Sequence, residues 1–203
     1  LGLNSSSSAT SVGTLQLNGG SLHVGGFSIA NTTGGTAVVN FNGGTVVAGQ
    51  DNTAFFGSPT LVSANIQAGG AKFNDNGHNV TIGADINGDI GDGGFTKSGS
   101  GNLTLTGAVN YTGSTNVQSG QMTFAGTGNS VAGVTGAGAV NVSGDLTSDG
   151  ITASALNITG QVTIRANGTD TGTSKVNTLT ITGPTAQLDI NDNKMIVEST
   201  AGA

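Results

Sequence analysis

The sequence has no cysteine and no tryptophan, one tyrosine, two prolines and only five lysine and arginine residues in 203. Each shortage excludes something. Five scattered cations cannot form a stripe that tracks a phosphate backbone, so no nucleic acid is expected as partner. No polybasic segment and no long apolar run occurs, so no segment is expected to span or lie on a membrane. Without cysteine there is no disulfide framework to fix the redox compartment. Charged residues make up 8%, far below the roughly 25% usual for soluble domains, so the surface must be built from Thr, Ser, Asn and Gln. Leu1 stands where an initiator Met would, so a processed chain or a piece of a longer one is expected.

What the chain has is glycine, 37 residues of it, and a thin supply of apolar side chains. Leu, Ile, Val and Phe number 47, about 23% of the chain. The net charge is only −6, so this is not a solvated polyelectrolyte. It is a chain whose few apolar residues must be well placed.

Their placement is strand-like. "TLQL" (14–17), "SLHV" (21–24), "VVNF" (38–41), "NVTI" (79–82), "NLTL" (102–105), "QMTF" (121–124), "AVNV" (139–142), "ALNI" (155–158), "QVTI" (161–164), "TLTI" (178–181) and "QLDI" (187–190) alternate apolar with polar. Gly and Asn punctuate them, and no window keeps helical spacing. The chain is predicted to be all-β.

The strands also repeat. "LQLNGGSLHV" (15–24) parallels "VNFNGGTVVA" (39–48), and a third Gly-Gly occurs in "NIQAGGAKF" (65–73). Taking Gly20, Gly44, Gly70, Gly120, Gly144 and Gly160 as marks, the intervals are 24, 26, 50, 24 and 16, with "GGF" (93–95) near the middle of the long one. A period in the twenties predicts a solenoid. Two architectures compete. If each Gly corner is a tight hairpin, the result is an antiparallel β-sandwich. If each is a bend in a coil, the result is a parallel β-helix with turns of about 16–26 residues. A sandwich core about 10 Å thick needs large side chains from two sheets, and aromatics are scarce here. A narrow solenoid can be filled by stacked Val, Ile, Leu and Ala, while Asn and Thr ladders satisfy one another outside. The β-helix is favoured, as one domain over 1–203, with Leu103 beside Met122 or Phe124 one turn on.

"GGFTKSGSGNLTLTGAVNYTGSTNVQSGQMTFAG" (93–126) resembles the autotransporter-associated β-strand repeat. The resemblance is carried by Phe95-Thr96-Lys97, Gly99, Gly101, Leu103, Leu105, Gly107, Asn110-Tyr111-Thr112-Gly113, Thr115, Val117, Gly120 and Met122, in order. "ANIQAGGAKFNDNGHNVTI" (64–82) is similar to the segment that often precedes the repeat. The resemblance implies a right-handed parallel β-helix on a secreted or surface-displayed bacterial protein. Nothing in the chain reads as the membrane barrel of an autotransporter, so export through another route or another segment is expected.

"GADINGDIGDGG" (83–94) places Asp85, Asn87, Asp89 and Asp92 among glycines. Oxygen ligands at alternate positions of a Gly-rich turn are what Ca²⁺ takes, and these four are the candidate metal ligands. Ile90 occupies the bend position and no Glu closes the loop, so a solvated turn is the other reading. In "LDINDNKMIV" (188–197), Asp189, Asp192 and Asn193 fit a turn between two strands better than a Ca²⁺ site. Catalysis has little support. Arg165 is the single Arg with Asp170 its nearest acid in sequence, His23 and His78 lie far apart, and no nucleophile elbow is present. Eight Asn-x-Ser/Thr triplets, at Asn4, Asn31, Asn79, Asn102, Asn110, Asn141, Asn157 and Asn167, match an N-glycan acceptor, but alternation on an outward strand face creates them automatically. Phe55 and Phe56, in the longest break between strand patterns, are expected to cover the core.

These readings converge on an extracellular structural solenoid: a stalk, fibre subunit or adhesin passenger, and not an enzyme. Neither terminus offers an amphipathic cap, so head-to-tail association into filaments is expected. The alternative of another class is a β-helix that binds or cleaves carbohydrate, with a surface polysaccharide as partner.

Overall fold

The protein is described here by a computed structural model, covering residues 2–3, 12–29, 36–56, 62–169 and 172–198. Asn4 and Asn31 of the Asn-x-Ser/Thr set lie outside these residues, as does Asp170. The described chain is all-β, and every strand pairing is parallel. The strands stack as a parallel β-helix of about 7 turns.

Each turn of the solenoid contributes to three faces. The first holds Val12–Leu17, Thr36–Phe41, Val62–Ile66, Ile86–Gly88 and Val109–Asn110, continues through a single bridge at Ser130, and resumes with Asp145–Ser148, Gln161–Ile164 and Gln187–Asp189. The second holds Ser21–Val24, Thr45–Ala48, Ala71–Asn74, Phe95–Ser98, Thr115–Val117 and Gly133–Thr135, ending at Met195–Val197. The third is clearest from Asn79–Ile82 through Asn102–Leu105 and Gln121–Phe124 to Ala139–Val142. Two long strands, Gly150–Ile158 and Ser174–Ile181, serve the second face with their first halves and the third with their second.

The antiparallel sandwich is overturned at "LQLNGGSLHV" (15–24), where a hairpin would have closed. Val12–Leu17 and Ser21–Val24 do not pair with each other across Asn18-Gly19-Gly20; they pair in parallel with Thr36–Phe41 and Thr45–Ala48. The core explains the preference. Alternation sends one residue of each pair inward, and the next coil stacks its equivalent on top. Val80, Leu103, Met122, Val140, Leu156 and Leu179 form one column; Ile82, Leu105, Phe124, Val142, Ile158 and Ile181 form a second. Leu103 does pair with Met122. Burying such a side chain contributes on the order of 1.5–3 kcal/mol, so a thin stack of single residues suffices where a sandwich needs a thick layer. The rings gather in the early coils. Phe27, Phe41, Phe55, Phe56 and Phe73 make a chain of edge contacts, and Phe55 and Phe56 are fully covered, as expected.

The corner glycines are not one series. Gly20, Gly44, Gly70 and Gly94 turn the first face into the second. Gly120 lies between the second and third faces, and Gly144 and Gly160 between the third and the next first face. The 50-residue interval from Gly70 to Gly120 and the 24-residue interval from Gly120 to Gly144 therefore join non-equivalent corners. At the last of these corners Gly107, Gly126, Gly144 and Gly160 stack directly. A Cβ on Gly144 would be driven into the Gly126 carbonyl, and one on Gly160 into that of Gly144, so the coils can close only without side chains there.

Outside, amide ladders run between turns, as predicted. Asn40 Nδ2 donates to Gln16 Oε1 at 2.9 Å and Asn65 Nδ2 to Asn40 Oδ1 at 3.1 Å. On the third face Asn157 Nδ2 donates to Asn141 Oδ1 at 2.8 Å, and Asn141 to Thr123 Oγ1 at 3.3 Å. The side chains of Asn141 and Asn157, both within Asn-x-Ser/Thr triplets, are thereby engaged.

Candidate functional site

The four predicted Ca²⁺ ligands take separate roles. Asp85 Oδ1 accepts the Ala108 N–H of the next coil at 2.8 Å. Asn87 and Asp89 are exposed. Asp92 is buried, and its carboxylate already holds four donors: Gly94 N–H and Gly113 N–H on Oδ1, each at 2.9 Å, and Thr112 N–H and Oγ1–H on Oδ2, each at 2.7 Å. Among the described residues no three His, Cys, Asp or Glu side chains form a group that could hold a metal ion. Asp189 closes its own turn by accepting Asn191 N–H, and Asp192 accepts Asn167 and Gly168 N–H from the coil before.

The Asp92 clasp explains the "NYTGST" run. Thr112 and Gly113 present consecutive N–H groups to the carboxylate one coil back. Between them and the core, Tyr111 is buried, stacks on Phe95 at 6.5 Å and shares a hydrogen bond with Thr115 Oγ1 at 2.5 Å. Gly88 leaves the space that both Tyr111 and Asp92 enter. Burial raises the Asp92 pKa, but the bonds from Thr112, Gly94 and Gly113 outweigh it and hold the carboxyl below its ordinary value. Burial pushes the Tyr111 hydroxyl up, with Thr115 opposing and Asp92 reinforcing.

A second corner carries a buried ion pair. Phe95 faces inward, so alternation sends Lys97 inward too, into the column Leu22, Val46, Phe73, Lys97, Val117. A lysine there needs partners, and it has them. Nζ lies 2.5 Å from Asp75 Oδ2, with both side chains 0% exposed. It also donates to Gly99 O at 2.8 Å, Gly101 O at 3.0 Å and Ser119 O at 2.7 Å. Asp75 Oδ1 accepts Gly77 N–H at 2.9 Å and Gly101 N–H at 2.8 Å. Three coils meet at this one pair.

The use of acids is general. Asp51, Asp75, Asp85, Asp92, Asp145 and Asp192, six of the eleven acidic residues, each accept a backbone N–H from a neighbouring coil. Asn129 does the same work without charge: it is buried, accepts Val109 N–H and donates to Gly126 O and Asp145 O.

Of the residues weighed for catalysis, His23 is exposed on the second face. His78 Nδ1 lies 3.2 Å from Asp51 Oδ1, a partner 27 residues before it that no local pattern announces. The Asn79 N–H, and then His78, lower the Asp51 pKa. Arg165 reaches back over two coils to Asp149 Oδ1 (2.7 Å), Val131 O (2.7 Å) and Ser130 Oγ (2.6 Å). Asp149, sixteen positions before it, is thus its partner. An open groove of about 690 Å³ crosses successive coils, lined by Ser63, Asp85, Asn87, Thr106 and Thr127 among small residues. It is polar, with a single carboxylate and no aromatic ring.

No protein-family model, curated protein or solved structure matches the chain. Sequence reasoning missed Asp75 and the inward Lys97. The period-two alternation from Phe95 was the available signal for the lysine; for Asp75 only its turn bond to Gly77 is local, and Lys97 and Gly101 lie more than twenty residues on.

Proposed function

We propose that this chain is a structural solenoid, secreted or displayed on a bacterial surface, that supplies length and stiffness as a stalk, fibre subunit or adhesin passenger of the autotransporter-associated type. The observation that carries the reading is the use made of the ionisable groups. Acids that a binding or catalytic cleft would present are bonded to backbone amides of adjacent coils, and the parallel ladder they brace runs through about 7 turns. The resemblance of residues 93–126 to the repeat supports the same reading, since its Lys97, Tyr111, Thr112 and Gly113 each contact a neighbouring coil.

End-to-end stacking belongs to this reading. Leu15, Leu22 and Val24 at one end of the stack, and Leu179, Leu188, Ile190 and Met195 at the other, are only partly buried. A second copy seated there continues both the apolar columns and the strand ladders. Light scattering and negative-stain electron microscopy of the purified protein test this: filaments are expected at high concentration, and a protein that stays monomeric ends the filament reading. The carbohydrate-binding alternative has one feature in its favour, the polar groove beside Asp85 and Asn87. Retention on insoluble polysaccharide, abolished by bulky replacement of Ser63 or Thr106, would favour it over the structural role.

A further inference from the structure

The contact between Lys97 and Asp75 has a geometry that an ion pair alone does not require. Nζ stands 2.5 Å from Oδ2, yet Oδ2 has no hydrogen-bond partner. The Nζ hydrogens have other acceptors, the carbonyls of Gly99, Gly101 and Ser119. The second carboxyl oxygen is placed differently. Oδ1 sits between two backbone donors, Gly77 N–H at 2.9 Å and Gly101 N–H at 2.8 Å. A nitrogen pressed against one oxygen, with two N–H groups on the other, is the layout of an amine beside a carboxyl carbon with an oxyanion pocket already built. Both side chains are wholly buried, so bulk water is kept from the site.

We propose that Lys97 and Asp75 join through an isopeptide bond between Nζ and Cγ. The step balances without any further reagent. A proton passes from Nζ to Oδ2, which leaves a neutral amine and a neutral carboxyl in a site where separated charges are costly. The Nζ lone pair adds to Cγ, and the negative charge that develops on Oδ1 is held by the Gly77 and Gly101 N–H groups. A second Nζ proton then goes to Oδ2, the Cγ–Oδ2 bond breaks, and water leaves. One C–N bond replaces one C–O bond, and nothing is oxidised or reduced. The amide keeps one N–H, with Gly99, Gly101 and Ser119 carbonyls around it as acceptors. The link closes the loop from residue 75 to residue 97 and ties one coil covalently to the next. In a chain without cysteine it is a staple of the kind a disulfide supplies elsewhere.

The test is the intact mass of the purified full chain under denaturing conditions. The wild-type protein should be lighter than its sequence mass by one water. Chymotryptic digestion, which cuts after Phe95, should leave the peptides carrying Asp75 and Lys97 joined. Lys97→Arg should restore the full sequence mass and release the two peptides separately. A wild-type mass equal to that of the sequence overturns the proposal, and so does a deficit that persists in Lys97→Arg or that maps to any other pair.

Discussion

The early coils and the middle coils build the same solenoid by different means. Up to residue 50 the chain carries no Asp, Glu, Lys or Arg. Its coils are held by amide ladders, Gln16 to Asn40 to Asn65 and Asn18 to Asn42, and by packed Phe rings. From Asp51 onward, carboxylates take over corners, and Asp51, Asp75, Asp85 and Asp92 catch N–H groups of an adjacent coil. Many weak neutral bonds serve where strands are long, as in Val12–Leu17 and Thr36–Phe41. Fewer, charge-assisted bonds serve where the first face shrinks to Ile86–Gly88 and Val109–Asn110. Short strands supply little ladder of their own, and the corner acids make up for it.

The sharpest break of this contrast is at the buried pair. Lys97→Met should cost at least about 3–5 kcal/mol, because Asp75 is left buried and unpaired and the link proposed above cannot form. The carbonyls of Gly99, Gly101 and Ser119 lose their donor as well. Adding Asp75→Leu should not restore stability, since Gly77 and Gly101 N–H then lose their acceptor. Urea denaturation of the single and double variants measures both. Full recovery in the double variant would show that the pair, and not the backbone groups around it, sets the cost.

The Asp92 clasp comes next. Asp92→Ala leaves the Thr112 and Gly113 amides without their acceptor and should cost about 2–3 kcal/mol. Its pH dependence follows from the sign of the shift. The folded carboxyl titrates below its ordinary 3.8, so the unfolded chain takes up the proton first as pH falls. The stabilisation is complete above roughly pH 5 and is lost as pH drops through the folded value. Stability of Asp92→Asn, followed by thermal melting, should therefore fall less steeply than wild type below about pH 4.

How far the sequence showed all this depends on range. Alternation within four residues was visible, and it placed Leu103, Phe124 and Val140 inside. The parallel stack was visible in the paired "LQLNGGSLHV" and "VNFNGGTVVA", because scarce aromatics argued against two thick sheets. The corner identities were not visible. Gly120 and Gly144 look like Gly44, but Gly44 turns the first face into the second, Gly120 the second into the third and Gly144 the third into the next first, and coils that shorten from 24 residues (Val12 to Thr36) to 16 (Asp145 to Gln161) hide the difference. The acids were least visible of all. Asp85 and Asp92 drew notice as Ca²⁺ ligands from their spacing, while their bonds go to Ala108 and Gly113 in the next coil, which no local pattern announces.

The stacked glycines sharpen the comparison from the backbone side. Gly144→Ala should cost about 1–3 kcal/mol, because the new methyl meets the Gly126 carbonyl and the coils must part. Gly133→Ala is the control. Its added methyl would meet only Gly150 O at 3.9 Å, an ordinary contact, so its effect should stay within about 0.5 kcal/mol. Chemical denaturation of the two variants side by side separates close approach from glycine content.

The smallest effect is expected in the neutral ladder. Asn40 gives one bond to Gln16 and accepts one from Asn65. Removing it as Asn40→Ala breaks both. The amides left behind are not deeply buried, so water replaces the lost partners and no desolvation penalty remains. The net cost should be about 0.5–1 kcal/mol, and because no charge is involved it should not change with salt. Thermal melts in low and high salt check both points. A loss above about 2 kcal/mol would place the ladder on a level with the Asp92 clasp. The early coils would then owe their stability to the side chains outside the sheet more than to their longer strands and Phe rings.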